Sequence, residues 1–494
     1  MSSTMAPEST SGRDDAIENM PPDSDTPRGG EGGTASLSRD GSMMSSTAVS
    51  GDGDASPSDG WADVAFASLG QAAAASGFGI VVASLAVATE RRTGSAVVGT
   101  VALAVEMWSR AAVSLPAAAR ANARGRREVI AQAGCIGVLG SLVSFADFYV
   151  DSHVLYFLGL ALVGVANCVA QQLRFAAAEA VKPGDRPRAL SFGVAGGTLA
   201  AFIGPEVAKA TRASLDKEFA GCFLAMAACY AALVAFTVCI KSAGPRRGVK
   251  EEKGAAFTWP HAEFARSAEA RKGLAGVTCA WTAMFLAMSA APLAMTGESE
   301  GGHSFDDAAT ALQLHMVMMF LPGLLGTGDG VKKFGPDVVS IVGYVLYLVC
   351  GVFTYAAVPE RSTGSVPLWA FYVLLILLGL AWNLTFIAGS ALMLPDGAVL
   401  DAGASRRVQG AAEAATFAAV GAASAASGAL LGAIGWRGLC ACIAPFAVGM
   451  MWFESSEGIV GAISFSLNRS FGRRSSGGIA EKVGEEEEAA SARV

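Results

Sequence analysis

Two opposite charges inside an apolar segment are the first feature of this sequence that could carry chemistry. Glu106 and Arg110 lie four residues apart, near the middle of segment 96–119. On a helix this spacing, with the acid first, suits an ion pair. A charge near the centre of a bilayer costs about 2.5–3.5 kcal/mol, so each one needs a reason. Two interpretations stay open: a structural pair that faces another helix, or a proton or substrate site that lines a cavity.

Two more titratable residues lie within apolar segments. Arg174 is in the inner third of segment 154–178, where it either extends to the membrane surface or holds an anionic or carbonyl-bearing substrate. His315 lies midway along segment 308–326. A lone histidine more often makes a hydrogen bond between helices, but inside a membrane it is also a candidate proton carrier.

An aromatic residue beside an amide is a third candidate. Trp382 and Asn383 are adjacent, and Phe386 follows Trp382 by one helical turn. This combination suits a planar organic substrate, although a tryptophan also simply packs. Gln71 and Asn167 are weaker candidates of the same kind.

Polar residues also occur about one turn into the eleventh apolar segment. Glu413 lies there with Gln409. We expect them near the cytoplasmic end of a helix, and we therefore favour gating over substrate contact for both.

Composition indicates what positions these residues. The 494 residues are 52% hydrophobic and 16% charged, whereas soluble proteins are about a quarter charged. The apolar residues form about twelve runs of some 20 residues, the length that spans a bilayer. We predict an all-α polytopic membrane protein with two pseudo-symmetric bundles of six helices. The net charge of -7 is concentrated in the tails and one loop and does not suggest nucleic-acid binding.

The runs divide the chain into five parts. Residues 1–60 form a polar, acidic tail that we expect to be disordered. Residues 61–240 are the first bundle, 241–272 a basic linker, 273–456 the second bundle, and 457–494 a second disordered tail.

Charge asymmetry predicts the orientation. Basic residues follow the even-numbered helices, which places these loops and both termini in the cytoplasm by the positive-inside rule. Arg91, Arg92 and the group Lys209, Arg212 and Lys217 go against this pattern. The loops that support it contain Arg120, Arg124, Arg126, Arg127, Lys182, Arg186, Arg188, Lys332, Lys333, Arg406 and Arg407.

Several runs resemble the major facilitator superfamily, and within it a bacterial-type subgroup that includes riboflavin-transporter-like members. They are LRFAAAEA and AGGTLAAFIGPEVA in the first half, and LQLHMVMMFLPG, LGLAWNLTFIAG and RRVQGAAEAATF in the second. The resemblance covers most of residues 68–452 and implies two six-helix bundles that rock about a central cavity.

The superfamily's loop motif, Gly-x-x-x-Asp-Arg-x-Gly-Arg-Arg, is present only in part. Gly125, Arg126 and Arg127 remain, but Asn122 stands at the Asp position and Ala118 at the first Gly. The resemblance implies a gating role for Arg126 and Arg127, without the acidic partner that the motif usually supplies.

These observations predict a secondary active transporter for a small organic solute, with protons as a candidate coupling ion. The sequence has no phosphate-binding loop of an ATP-driven pump and no metal motif, so we expect no enzyme activity and no cofactor. We expect a monomer in a lipid bilayer. The alternative is a receptor-like membrane protein on the same fold that does not transport.

Overall fold

The structure, a computed structural model, describes residues 57–182, 186–241, 259–298, 300–359, 364–393 and 402–457. Within these ranges most residues are helical and none lies in a strand, which confirms the all-α prediction. Most of the predicted tails and the middle of the linker lie outside the described residues.

The first half consists of six helical spans, the fourth of them bent. A turn at Gln171 and Gln172 divides that span into two helices. The helices are α1 (Pro57–Thr93), α2 (Ala96–Arg124), α3 (Arg126–Val150), α4 (His153–Ala170), α5 (Leu173–Glu179), α6 (Arg186–Thr211) and α7 (Ala220–Cys239).

The second half repeats this arrangement after a short linker helix, α8 (His261–Arg266). Its seventh and eighth spans are each interrupted. The helices are α9 (Ala268–Met288), α10 (Ala291–Thr296), α11 (Phe305–Pro322), a π-helical turn (Gly323–Thr327), α12 (Gly328–Phe334), α13 (Pro336–Ala357), α14 (Leu368–Leu392) and α15 (Ala402–Ala441). Residues 443–457 are again helical.

Ten helical segments of the described residues are long and apolar enough to cross a membrane. The remaining two predicted spans correspond to α6 and to the helical residues after Gly435. Gly435 has φ 68° and ψ 176°, so the chain bends there between the eleventh and twelfth spans. The apolar runs of the sequence predict the eleventh span over 408–434 and the twelfth over 436–453, so the predicted boundary between them falls at this bend.

Two predicted boundaries differ from the structure. The linker was expected to run to residue 272, but α9 begins at Ala268, because the Ser267 side chain caps it by accepting a hydrogen bond from the Ala270 amide (3.0 Å). Likewise α1 begins at Pro57, inside the predicted tail, and proline is favoured in the first turn of a helix.

The two halves meet chiefly along two helix pairs: α2 packs against α15, and α6 packs against α11, while α1 also contacts α10 and α11. We call the end at which α2 stops and α3 starts the basic end, because it carries Arg124, Arg126 and Arg127. The other end, between α1 and α2, is the opposite end.

Glycines allow these helices to approach each other closely, as small residues do in membranes. A Cβ atom at Gly164 of α4 would lie 2.4 Å from the Glu106 carbonyl oxygen of α2. A Cβ atom at Gly428 of α15 would lie 2.5 Å from Thr100 Oγ1 and 2.6 Å from the Ala96 carbonyl oxygen. Close backbone contact thus fixes α2 both within its own bundle and against the other bundle.

The π-helical turn in the eighth span depends on one glycine. Gly326 has φ 136° and ψ 13°, a backbone conformation that residues other than glycine rarely adopt. Two hydrogen bonds of the Asn383 side chain stabilise the turn. The Thr327 hydroxyl donates to the Asn383 side-chain oxygen (2.8 Å), and the Asn383 side-chain nitrogen donates to the Met319 carbonyl (2.7 Å).

We expect Gly326→Ala to destabilise the protein by about 1–3 kcal/mol, the cost of holding a residue with a Cβ in a disfavoured backbone region. A clash is not the cause, since no atom lies within 4 Å of the Cβ position. Thermal unfolding in detergent measures the effect. Gly330→Ala is the matched control, because Gly330 is also open but lies in regular helix α12, where alanine stabilises by about 0.5–1 kcal/mol. Equal melting temperatures for the two variants would contradict the prediction.

Candidate functional site

A cavity lies between the two bundles, and each bundle lines it with different chemistry. The first half contributes the polar and charged side chains of the described lining together with one aromatic ring, Phe78, whereas the second half contributes aromatic rings and methionines. The lining includes Gln71, Phe78, Arg110, Asn167 and Arg174 from the first half, and Trp281, Met284, Met288, Met316, Met319, Phe320, Trp382 and Phe386 from the second.

Glu106 and Arg110 form the predicted ion pair. Glu106 Oε1 accepts hydrogen bonds from Arg110 Nη2 (2.6 Å), Arg110 Nε (3.0 Å) and Asn167 Nδ2 (2.6 Å). Asn167 in turn accepts one from the Tyr230 hydroxyl (2.8 Å). Glu106 is fully buried, and its Oε2 has no hydrogen-bond partner among the described residues. The network therefore satisfies one oxygen of the carboxylate and leaves the other without a hydrogen bond among these residues.

Arg110 connects this pair to the cavity and to the other bundle. It lines the cavity, while Glu106 lies behind it. Its guanidinium group is 4.5 Å from the ring centre of Phe78 in α1 and 5.4 Å from that of Phe417 in α15. Such cation–π contacts are worth about 2 kcal/mol where water is excluded. A change in the Glu106–Arg110 pair would therefore alter the contact of Arg110 with Phe417 in the other bundle.

Aromatic rings form the wall of the second bundle. Trp382 and Phe386 are stacked, with ring centres 4.6 Å apart and planes 10° apart. Trp281 meets Trp382 edge-on at 4.9 Å, and Phe320 packs against Trp382 at 6.0 Å. These rings offer flat, apolar surface to a planar solute, since aromatic groups favour stacked or edge-to-face contacts.

A second ion pair crosses between the bundles on the basic side of the cavity. Arg174 Nη2 lies 2.9 Å from Glu413 Oε1, which joins α5 to α15. Arg174 also lines the cavity, and its guanidinium group lies 4.8 Å from the Phe175 ring centre. The structure thus places a predicted substrate residue and a predicted gating residue in one contact.

The remaining predicted gating residues lie nearer the basic end. Arg126 Nε is 3.3 Å from Glu179 Oε2, so this arginine ties α3 to α5 within one bundle. Arg127 is half-buried in the first turn of α3. Gln409 Nε2 donates to the Met393 carbonyl (3.3 Å), between α15 and the end of α14.

His315 and Asn383 lie behind the lining of the cavity. His315 is fully buried, and its Nδ1 is 2.8 Å from the Leu375 carbonyl oxygen of α14. Asn383 holds the π-helical turn through both ends of its amide. Neither is among the described residues that line the cavity. Both positions favour a role in helix packing, and a substrate or coupling role for them stays a prediction.

Sequence reasoning missed several members of the site, among them two aromatic residues. Trp281 contacts Trp382, Phe386 and Phe417, and Tyr230 completes the buried network through Asn167. Both lie in strongly apolar runs, where an aromatic residue is expected simply to pack. The sequence offers one clue to Tyr230. Asn167 is a polar residue in the apolar fourth span and needs a hydrogen-bond partner, which Tyr230 provides.

Three of the arginines that oppose the predicted orientation are paired with acids at the opposite end. Arg92 forms an ion pair with the buried Asp147, and Arg91 and Arg212 both contact Glu218 (2.6 and 2.7 Å). Burial alone would raise the pKa of Glu218, but the two arginines outweigh burial and lower it. These three arginines are thus engaged in local ion pairs at this end of the bundle.

The linker helix carries one more contact between polar groups. Glu263 accepts hydrogen bonds from Arg407 Nη2 (2.6 Å) and Nε (3.0 Å), which connect α8 to the start of α15. Chiefly through these bonds, the pKa of Glu263 is lowered. No group of His, Cys, Asp and Glu side chains in the described part of the chain is arranged to hold a metal ion.

Comparisons with known proteins find a family, relatives and a solved structure that are similar to this chain. The Major Facilitator Superfamily model matches residues 64–394. The riboflavin transporter RfnT of Brucella anthropi is 29% identical over 327 residues, which is 66% of this chain and 77% of that protein. An uncharacterized MFS-type transporter of Bacillus subtilis, YddS, is 24% identical over 64% of this chain and 73% of its own. A crystal structure of a mutant of the nucleoside transporter NupG shares the fold, with a TM-score of 0.58 at 14% identity, over 80% of this chain and 99% of that one.

Proposed function

Because the chain belongs to the Major Facilitator Superfamily and is a multi-pass membrane transporter, we propose that it moves a small organic solute by alternating access. The solute would occupy the cavity between the bundles, and the two bundles would rock about it. The observation that carries this proposal is the cavity itself, which both halves line. A rocking motion exposes such a site to one side of the membrane and then to the other.

The preferred solute is planar and uncharged over its ring system. The stacked pair of Trp382 and Phe386, with Trp281 edge-on beside it, supports this choice. Polar groups on the facing bundle would orient the solute through hydrogen bonds. Since one similar protein is named as a riboflavin transporter, riboflavin is the first solute to test.

We further propose that Glu106 couples transport to protons and that the pair of Arg174 and Glu413 acts as a gate. An ion pair that joins two bundles has to separate if they part on that side. Arg126, Arg127 and Gln409 would support the same gate from the basic end. The basic end would face the cytoplasm, as the positive-inside rule favours, and the protein would work as a monomer without a cofactor.

The test is uptake of riboflavin and a panel of other small metabolites into proteoliposomes, with and without a pH gradient. Trp382→Ala should lower uptake by about tenfold or more, since stacking on one aromatic ring is worth about 1–3 kcal/mol. Trp369→Ala is the matched control, because Trp369 lies in the same helix with 54% of its surface exposed, compared with 3% for Trp382. Binding of a solute without uptake of any would support the receptor-like alternative.

A further inference from the structure

The two arginines that line the cavity are both occupied by carboxylates. They are the charged side chains among the described lining residues. Arg110 is held by Glu106 through two of its nitrogens, and Arg174 is held by Glu413. Each pair has no net charge, so the lining offers hydrogen bonds but no uncompensated charge.

The hydrogen-bonding atoms left over suit an uncharged group. Arg174 Nε is a buried donor and Gln71 Oε1 a buried acceptor, and neither has a partner among the described residues. An amide or imide brings both an acceptor and a donor. A phosphate or carboxylate brings acceptors only, so it would leave the Gln71 oxygen unpaired and would add a charge that no free arginine of the lining compensates.

We propose that Glu106 and Glu413 set the charge selectivity of the cavity, because by neutralising Arg110 and Arg174 they make it select a neutral aromatic solute over its anionic analogue. This proposal rests on the transport function proposed above. It adds a specificity role, held while both acids are ionised, to the coupling and gating roles proposed above. Removing either carboxylate leaves an arginine free, which turns the cavity into a site for anions.

The experiment compares a neutral and an anionic form of the same ring system. Riboflavin and flavin mononucleotide are used for uptake into proteoliposomes. In parallel, 2-naphthamide and 2-naphthoate are used for binding, measured by quenching of tryptophan fluorescence. The wild-type protein should favour the neutral member of each pair. Glu106→Gln should raise the ratio of anionic to neutral solute by about tenfold or more, the effect expected of one buried, unpaired charge.

The matched variants separate charge from shape. Arg110→Gln should lower the ratio of anionic to neutral solute. The double variant Glu106→Gln/Arg110→Gln should return to the wild-type preference, because it restores zero net charge at this pair. The same series at Glu413 and Arg174 repeats the test where both side chains are partly exposed, at 33% and 22%, and so tolerate substitution better.

Three outcomes overturn the proposal: equal handling of both members of a pair by the wild-type protein, a preference that does not change in any variant, or a double variant that behaves like Glu106→Gln. Failure of riboflavin uptake alone counts instead against the solute assigned under the proposed function. The binding of 2-naphthamide and 2-naphthoate then still tests the proposed charge selectivity, because it does not require that riboflavin be transported.

Discussion

Glu106→Gln is expected to abolish solute accumulation driven by a pH gradient while exchange of solute across the membrane continues. One coupled proton supplies about 1.4 kcal/mol per pH unit, which corresponds to about tenfold accumulation. The variant should therefore bring internal and external solute to equal concentrations. Gradient-driven uptake and counterflow, measured on the same proteoliposomes, separate the two activities.

The structural reason lies in the asymmetry of the carboxylate. Oε1 accepts three hydrogen bonds, whereas Oε2 is buried without one in the described residues. Arg110 also reaches the cavity and Phe417 of the other bundle. A movement of the bundles would therefore shift the arginine to which the carboxylate is bound.

Two other ionisable side chains lie near Glu106. The Tyr230 hydroxyl already donates to Asn167, and Cys168 is a buried thiol on the same helix as Asn167. A phenol or a thiol gains charge only by losing a proton, which would place a second negative charge beside Glu106 in a buried network. Among these neighbours, Glu106 is thus the first group to test as the proton carrier.

A purely structural role for the pair leads to a different result. Both Glu106→Gln and Arg110→Gln would then lower expression and thermal stability, and exchanging the two residues would restore them. Glu128→Gln controls for the substitution itself, because Glu128 is an exposed acid in the first turn of α3. Normal pH dependence in Glu106→Gln would disprove the coupling role, and His315 or Glu413 would be tested next.

The sequence allowed the fold and the local pair to be predicted, because both depend on neighbours along the chain. Runs of apolar residues give spans, and the bend at Gly435 separates two of them at the predicted boundary. Likewise, the spacing of Glu106 and Arg110 is a property of one helix. Their ion pair formed as expected from that spacing.

Contacts between distant helices could not be predicted in the same way. Arg174 and Glu413 were each identified, but nothing in either segment indicates that they meet across the bundles. The direction in which each side chain of an apolar helix points could not be predicted from the sequence either. α14 is apolar on all sides, so its pattern could not show that Trp382 faces the cavity while Asn383 faces α11.

Gly428→Leu is expected to stop transport by preventing closure at the opposite end. There α2 and α15 form a seam: the Gly428 amide donates to Thr100 Oγ1 (3.1 Å), and the Ser424 hydroxyl donates to the Thr100 carbonyl (3.2 Å). Even a Cβ atom at Gly428 would lie 2.6 Å from the Ala96 carbonyl oxygen, so the larger leucine side chain cannot be placed without separating the helices.

Overpacking of this kind costs about 1–3 kcal/mol, which shifts a two-state equilibrium by about 5–150-fold. Alternating access needs both closed states, so uptake should fall by a similar factor. The shift is measured independently by maleimide labelling of Ser424→Cys in a cysteine-free background, because Ser424 is fully buried in the closed seam. Labelling should be faster in the presence of Gly428→Leu.

Gly432→Leu is the matched control for this experiment. Gly432 lies one turn further along α15, and a Cβ atom there would have no other atom within 4 Å. It adds the same side chain to the same helix without entering the seam, so transport and labelling should stay near the wild-type values. If Gly428→Leu transports normally, the contact between α2 and α15 is not part of the transport cycle. If both variants lose activity together, α15 itself rather than its seam with α2 is sensitive to an added side chain, and the proposed closure along this seam loses its support.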